Sequence, residues 1–335
     1  MTQGFPAATG FDWYRLLQNM HLAPSGAPGT PGHTAAYTLH NLKGIGCLLL
    51  AIVIWSGWVV MNRFGIKNAL TPYDITAIRF TTAGVLLLPM IWKRGLSVGP
   101  WGAKGGFLLS VLLGACYTNV VVFGLQFAPV SHASTVNTGT FLTLITIFGI
   151  HGLREHISRI RLVGVACSLI GITVMLCARD VATSPLQWIG HLCFMTGATM
   201  WAVYVLLTRA WKADPIHTTA VVCVFSMISY MPLYLLFADH QHLLSCPWNI
   251  LVLEIIYQGV LTSILALFLF NVGVSILGAS RAGAFVPLIP VVSTLLAIPV
   301  VGEVPSFMEI MGICTVSIGV FIASDAFKMA QSMKR

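Results

Sequence analysis

Long uncharged apolar runs alternate along this chain with short polar connections. Such runs cover 44–62, 105–130, 181–208, 218–238, 255–280 and 282–302. A helix needs about 20 predominantly apolar residues to cross a hydrocarbon core about 30 Å thick, so each run is a candidate span. Reading run lengths and punctuation together predicts helices near 44–62, 74–92, 105–126, 131–150, 160–178, 187–207, 217–237, 250–270, 281–300 and 307–325. The expectation is an all-α membrane protein of ten transmembrane helices, with connections too short to hold an inserted soluble domain.

Composition supports lipid as the main solvent. Of the 335 residues 57% are apolar and 8% charged, and the mean hydropathy is +0.86, unlike a water-soluble chain of this length. The formal charge of +8 does not point to nucleic acid, because the basic residues form no large cluster and sit mostly in the connections. If the N-terminus is cytoplasmic, thirteen Lys and Arg fall on the cytoplasmic side against three (Arg63, Lys67 and Arg179) on the other. The positive-inside rule then predicts an inner-membrane protein with both termini in the cytoplasm. Residues 1–42 carry the run Pro24-Ser25-Gly26-Ala27-Pro28-Gly29-Thr30-Pro31-Gly32 and lack the basic start and apolar core of a signal peptide, which predicts a flexible cytoplasmic tail. A second short tail is expected at 327–335.

The eight cysteines include no C-x-x-C pair, and all but Cys246 fall within apolar runs. No disulfide framework follows, and Cys246 is expected to be the cysteine open to an impermeant thiol reagent from outside. His151, Glu155 and His156 have neither H-E-x-x-H nor H-x-x-E-H spacing, so no metal site is expected.

An internal repeat organises the spans. Trp55 precedes Arg63 by eight residues, as Trp201 precedes Arg209. Trp55 and Glu155 are 100 residues apart, Trp201 and Glu303 are 102, and glycines follow each Glu at plus nine and plus sixteen: Gly164 and Gly171, then Gly312 and Gly319. Each copy holds five spans, an odd number, so the second enters the membrane from the opposite face. The predicted organisation is two inverted five-helix repeats, 43–180 and 181–326. Inverted repeats suit alternating access around a shared midplane site.

Three stretches carry a family resemblance: Ala51-Ile-Val-Ile-Trp55-Ser56; Pro72 followed by Arg79-Phe80; and Gly278-Ala-Ser-Arg-Ala-Gly-Ala-Phe-Val-Pro287-Leu-Ile-Pro290 leading to Gly302-Glu303. In order and spacing these resemble the drug/metabolite transporter superfamily, specifically its ten-span EamA-like members with two EamA repeats, over about 43–326. The resemblance implies export or exchange of a small organic molecule such as an amino acid, its derivative or a drug. The repeats are not identical. Gly139 and Leu142 stand in the first where Pro287 and Pro290 stand in the second, so a break is expected in the ninth span and not in the fourth.

Several side chains are candidates for the chemistry. Trp55 and Trp201 match between repeats and could stack on a substrate or gate a cavity, or else anchor helices. Tyr117, Asn137, Tyr204, Tyr257 and Gln258 are polar groups within apolar spans, suited either to line a cavity or to bond between helices. Arg79 could bind a carboxylate substrate, pair with Glu254 or snorkel to the membrane edge. Glu254 is the deepest carboxylate and the candidate for proton coupling, while Pro287 and Pro290 are candidate hinge residues. No nucleophile, base and metal-ligand set converges at one depth, so an enzyme is not expected. The absence of a G-x-x-x-x-G-K loop argues against ATP use, and no cofactor is predicted. The expected partners are a small-molecule substrate and lipid. Oligomeric state has no signal in the sequence.

Overall fold

A computed structural model describes residues 31–153, 158–177 and 185–324, all helix and short connection. Eight helices are long and apolar enough to cross a membrane: His40–Lys67, Pro72–Arg94, Gly102–Gly124, Arg159–Cys177, Gln187–Ala210, Pro215–Phe237, Trp248–Leu277 and Arg281–Val301. Phe307–Ala323 is a shorter apolar helix. Val130–Leu153 is long enough but is not among the eight. Its first half carries Ser131, His132, Ser134, Thr135, Asn137 and Thr138, all buried. Shielded by protein, it has no need of the lipid-facing apolar surface by which spans are recognised.

In chain order the helices are α1 (Pro31–Lys67), α2 (Pro72–Arg94), α3 (Gly102–Leu113), α4 (Ala115–Gly124), α5 (Val130–Leu153), α6 (Arg159–Cys177), α7 (Gln187–Ala210), α8 (Pro215–Phe237), the short α9 (Gln241–Ser245), α10 (Trp248–Glu254), α11 (Ala266–Leu277), the short α12 (Ala279–Gly283), α13 (Leu288–Val301) and α14 (Phe307–Ala323). A π-helical segment, Ile255–Leu265, joins α10 to α11. Local chemistry starts several of these. Thr71 and Asp74 form a capping box with Pro72 in the first turn of α2, and Ser306 and Glu309 form another at α14. Asp214 caps α8 ahead of Pro215.

Three details depart from the sequence expectation. The first helix begins at Pro31, well inside the segment expected to be a flexible tail; residues 1–30, 154–157, 178–184 and 325–335, with Glu155, Arg179 and the terminal tail, lie outside the described residues. The third span is broken at Gly114, where Ser226 Oγ of α8 accepts a 3.2 Å hydrogen bond from the Ala115 amide. In lipid a freed amide needs such a partner. The eighth span contains the π segment, in which the Thr262 and Ser263 hydroxyls donate to the Tyr257 and Gln258 carbonyls at 2.9 and 2.8 Å. A break falls in the ninth span, where a turn at 284–287 separates α12 from α13 behind Pro287, while α5 runs on without interruption.

Helices from the two halves pack against each other throughout: α1 against α11 and α13, α2 against α8, α5 against α7 and α13, and α6 against α14. The last pair explains the repeated glycines. A Cβ on Gly171 would stand 3.0 Å from the Gly312 carbonyl oxygen, and one on Gly312 would stand 3.2 Å from that of Gly171. Gly164 and Gly319 meet in the same way one crossing turn along, each facing the other's carbonyl. Small residues let membrane helices approach to backbone contact. Exposed Trp92 and Trp101 sit at the Arg94 end of the bundle and exposed Trp188 and Trp248 at the Arg63 end, as in the aromatic belts of membrane proteins.

Candidate substrate cavity

Trp55 lies twelve residues from both Lys43 and Lys67, so it sits near the middle of the membrane-crossing part of α1, His40–Lys67. Here a cavity of about 130 Å³ opens among α1, α2, α3, α7, α8, the π segment and α11, lined by Trp55, Arg79, Phe80, Tyr204, Cys223 and Thr262 among others. Both halves contribute. Arg79 lies over the Trp58 ring, 5.1 Å from its centroid, and over Phe80 at 5.4 Å. Its Nε is buried with no hydrogen-bond partner, and among the described residues no carboxylate pairs with it. The site therefore presents a guanidinium held by aromatic faces, beside hydroxyl and thiol groups, without a protein counter-charge.

The other candidates are distributed around this cavity. Trp55 meets Phe270 at 5.0 Å and lines it, and Tyr204 lines it from α7. Trp201 stacks on Phe141 at 4.1 Å and packs into the core instead. Tyr117 stands behind Trp58, stacked at 6.1 Å, with Asn137 bonded to it and to the Phe194 carbonyl at 3.4 Å. Tyr257 donates to the Ile54 carbonyl at 3.0 Å and covers Gly57. Gln258 is fully buried, donating to Asn62 Oδ1 at 3.2 Å and to Glu254 Oε2 at 3.0 Å. Glu254 is likewise fully buried, and its Oε1 has no partner. Of the three sequence alternatives for Arg79, pairing with Glu254 is absent. Pro290 is buried in α13, where its carbonyl accepts from Ser293 and Thr294 at 3.1 and 2.8 Å; Pro287 caps that helix.

The expected exposure of Cys246 is corrected. It is buried, 8% exposed, against Leu70, Ile78 and Ile250, because the α9 turn folds it inward. Burial, and then the Glu254 and Asp74 carboxylates, push its thiol up from the usual range.

Sequence reasoning left unused a seam at the Arg63 end. Arg63 Nε donates to Glu303 Oε1 at 2.6 Å and its Nη1 to the Leu125 carbonyl; Glu303 Oε2 accepts from the Val130 amide at 2.9 Å; Lys67 Nζ reaches the Val301 carbonyl at 2.6 Å. Two repeat markers, one from each half, thus meet directly. Beside them lies a larger crevice of about 330 Å³, lined by Arg63, Lys67, Ser131, Thr294, Glu303 and Glu309. At the opposite end Arg94 pairs with Asp214 at 2.7 Å, an exposed contact that solvent screens, and His217 Nε2 lies 3.0 Å from the Gly95 carbonyl oxygen.

Residues 42–177 and 188–324 each match the profile of the EamA-like transporter family. The uncharacterized transporter YyaM of Bacillus subtilis is 25% identical over 293 residues, covering 84% of this chain and 94% of that protein. An uncharacterized transporter of Clostridium kluyveri is 24% identical over 311 residues, covering 88% and 96%. A solved structure described only as a crystal structure of a protein shares the fold, with a TM-score of 0.59 at 21% identity over 87% of this chain and 99% of its own. With both halves matched in tandem, the chain belongs to the EamA-like transporter family, a family of membrane transporters and not of enzymes.

Proposed function

We propose that this transporter is a secondary carrier that exports a small organic molecule bearing a carboxylate across the inner membrane by alternating access. The observation that carries the reading is the midspan cavity, where Arg79 lacks a protein counter-charge. A buried guanidinium binds a carboxylate in fork geometry and gains most where water is excluded. Trp55 and Tyr204 supply an aromatic wall and a hydroxyl, which suits an amino-acid-like or drug-like body.

The moving parts are two inverted five-helix halves, 43–180 and 181–326, making ten spans when α5 and α14 are counted, with both termini cytoplasmic. On that orientation the Arg63 end faces outward and is closed by the Arg63–Glu303 tie between the halves. Pro287 and Pro290, behind the turn at 284–287, serve as the hinge of the second half. Glu254, buried beside Gln258 with one oxygen unpartnered, carries the coupling proton. Tyr117, Asn137, Tyr257, Gln258 and Trp201 hold the walls in register.

The test is flux in proteoliposomes with radiolabelled amino acids and their decarboxylated amines. A carrier of this kind saturates, shows counterflow with the acid and ignores the amine, and Arg79→Gln removes the activity at unchanged abundance. A non-saturating flux identifies a passive facilitator. Equal transport of acid and amine refutes the role of Arg79.

A further inference from the structure

A second buried polar group lies away from the substrate cavity, where α5 of the first half meets α7 and α14 of the second. His132 Nε2 is 2.8 Å from Glu309 Oε1, and His132 Nδ1 is 2.7 Å from His191 Nε2. The two rings lie within 5° of parallel. Gln187 Nε2 stands 3.3 Å from the same Nδ1. Ser131 Oγ donates to Glu309 Oε1 at 2.9 Å, and the Ser306 amide donates to Oε2 at 2.7 Å. His132 is 1% exposed, Glu309 4% and His191 7%. Ser131 and Glu309 also line the crevice at the Arg63 end, so the group has a path to water on that side.

Donor and acceptor counting gives this network two complete forms that differ by one proton. In the first, Glu309 is a carboxylate and His132 is neutral, with its proton on Nε2 facing Glu309. The one lone pair of Nδ1 then accepts from His191 Nε2–H at 2.7 Å, with the Gln187 amide beside it at 3.3 Å, and the network carries one net negative charge. In the second, His132 is an imidazolium whose Nδ1–H donates to His191 Nε2. His191 keeps its proton on Nδ1, and the Gln187 amide turns its oxygen inward. That form is neutral and places an ion pair across the boundary between the halves. The other charged groups facing the site from neighbouring elements are Arg63 and Lys67 of α1 and Glu303 after α13, already tied to one another across the crevice. Among the described residues no group of three or more His, Cys, Asp or Glu is disposed to hold a metal.

We infer that His132, His191 and Glu309 form a proton-binding site, open to the Arg63 side, whose occupation holds that end of the transporter closed. The sign follows from desolvation. Without the proton, a buried Glu309 carboxylate gains by parting α5 from α14 and admitting water; with it, the imidazolium–carboxylate pair holds them together. The site is separate from Glu254 and does not depend on which molecule is carried.

The test uses the purified full-length transporter in nanodiscs without substrate, so its failure is distinct from failure of the transport reading. Histidine-labelled protein is titrated by NMR, with His132 and His191 assigned from His132→Gln and His191→Gln. In parallel, spin labels at Phe123→Cys and Val304→Cys, in a background with the native cysteines replaced, report the separation of the halves. Uptake of one proton at the His132 ring is expected, with His191 moving its own proton from Nε2 to Nδ1, and the open-to-closed ratio should rise by up to about tenfold per pH unit through the transition. Glu309→Gln, His132→Gln and His191→Gln should each flatten that dependence while leaving a monodisperse protein. The proposal is overturned if the His132 ring takes up no proton between about pH 5 and 9, if the separation ignores pH in the unmodified site, or if any correctly assembled variant keeps the full response. If one substitution prevents assembly, the other two decide.

Discussion

The crossing of α6 and α14 offers a sharp test of the packing. In Gly171→Ala the new Cβ lands 2.8 Å from the Val316 amide nitrogen, 2.7 Å from Val316 Cγ2 and 3.0 Å from the Gly312 carbonyl oxygen. Two of these three atoms are backbone, so relief comes only from moving the helices apart, and Gly312→Ala meets the Gly171 carbonyl from the other side. Overpacking of this kind costs about 1–3 kcal/mol, against which the helix propensity of Ala returns about 1 kcal/mol. The expected net loss is therefore up to about 2 kcal/mol for either variant. Gly46 provides the control, because a Cβ there meets nothing within 4 Å. Gly46→Ala keeps the propensity gain without the clash and should leave stability equal or higher. The assay is reversible unfolding in mixed micelles, followed by fluorescence, of the three variants beside the parent. Parental stability in both Gly171→Ala and Gly312→Ala would show that the helices do not meet at backbone distance.

Three further outcomes follow from the cavity and its surroundings. Trp55→Ala should abolish flux at normal abundance because its ring lines the cavity, whereas Trp201→Ala, which strips the stack on Phe141, should lower thermal stability, by about 3–5 kcal/mol if the space does not refill; the reverse pattern would exchange their roles. Glu254→Gln should leave counterflow intact and stop protonophore-sensitive uphill efflux, and uphill efflux that persists in the variant removes Glu254 from the coupling. Cys246, buried and with its thiol pushed up, should react with an impermeant maleimide far more slowly than a free thiol near neutral pH; because only the thiolate attacks, the rate should keep rising with pH beyond the point at which a free thiol levels off, and fast labelling at neutral pH would contradict the burial.

The spans and the repeat were legible because lipid leaves backbone polar groups no partner but their own helix, so each crossing writes itself as an uncharged run. That logic fails where protein replaces lipid. The polar start of α5 was placed as a span by its length and second half, but nothing local announced that Val130–Gly139 would be wholly buried. The irregular third and eighth spans were missed for a related reason. The hydroxyl that repairs the break at Gly114 comes from Ser226, more than a hundred residues away. Pro287, by contrast, marks its break locally. Among the candidate residues, Trp55, Arg79 and Tyr204 converge on the cavity, while Tyr257 and Gln258 turn to Ile54, Asn62 and Glu254, partners that periodicity cannot choose. Ser306-Phe-Met-Glu309 reads as a capping box and could have drawn attention to Glu309, but its second role needs His132, 177 residues upstream.

The polarity of α5 also bears on how the protein is made. A helix that opens with Ser131, His132, Ser134, Thr135, Asn137 and Thr138 partitions poorly into lipid by itself, and although α1 and α4 precede it, much of its cover comes from α7, α13 and α14, which are translated after it. The first half is therefore not a self-sufficient membrane unit when it leaves the ribosome. Its fourth span must wait, held by the insertion machinery or only partly inserted, until the second half arrives to enclose it. Chains truncated after Cys177 should on this account be retained poorly in the membrane, although they contain one complete copy of the repeat.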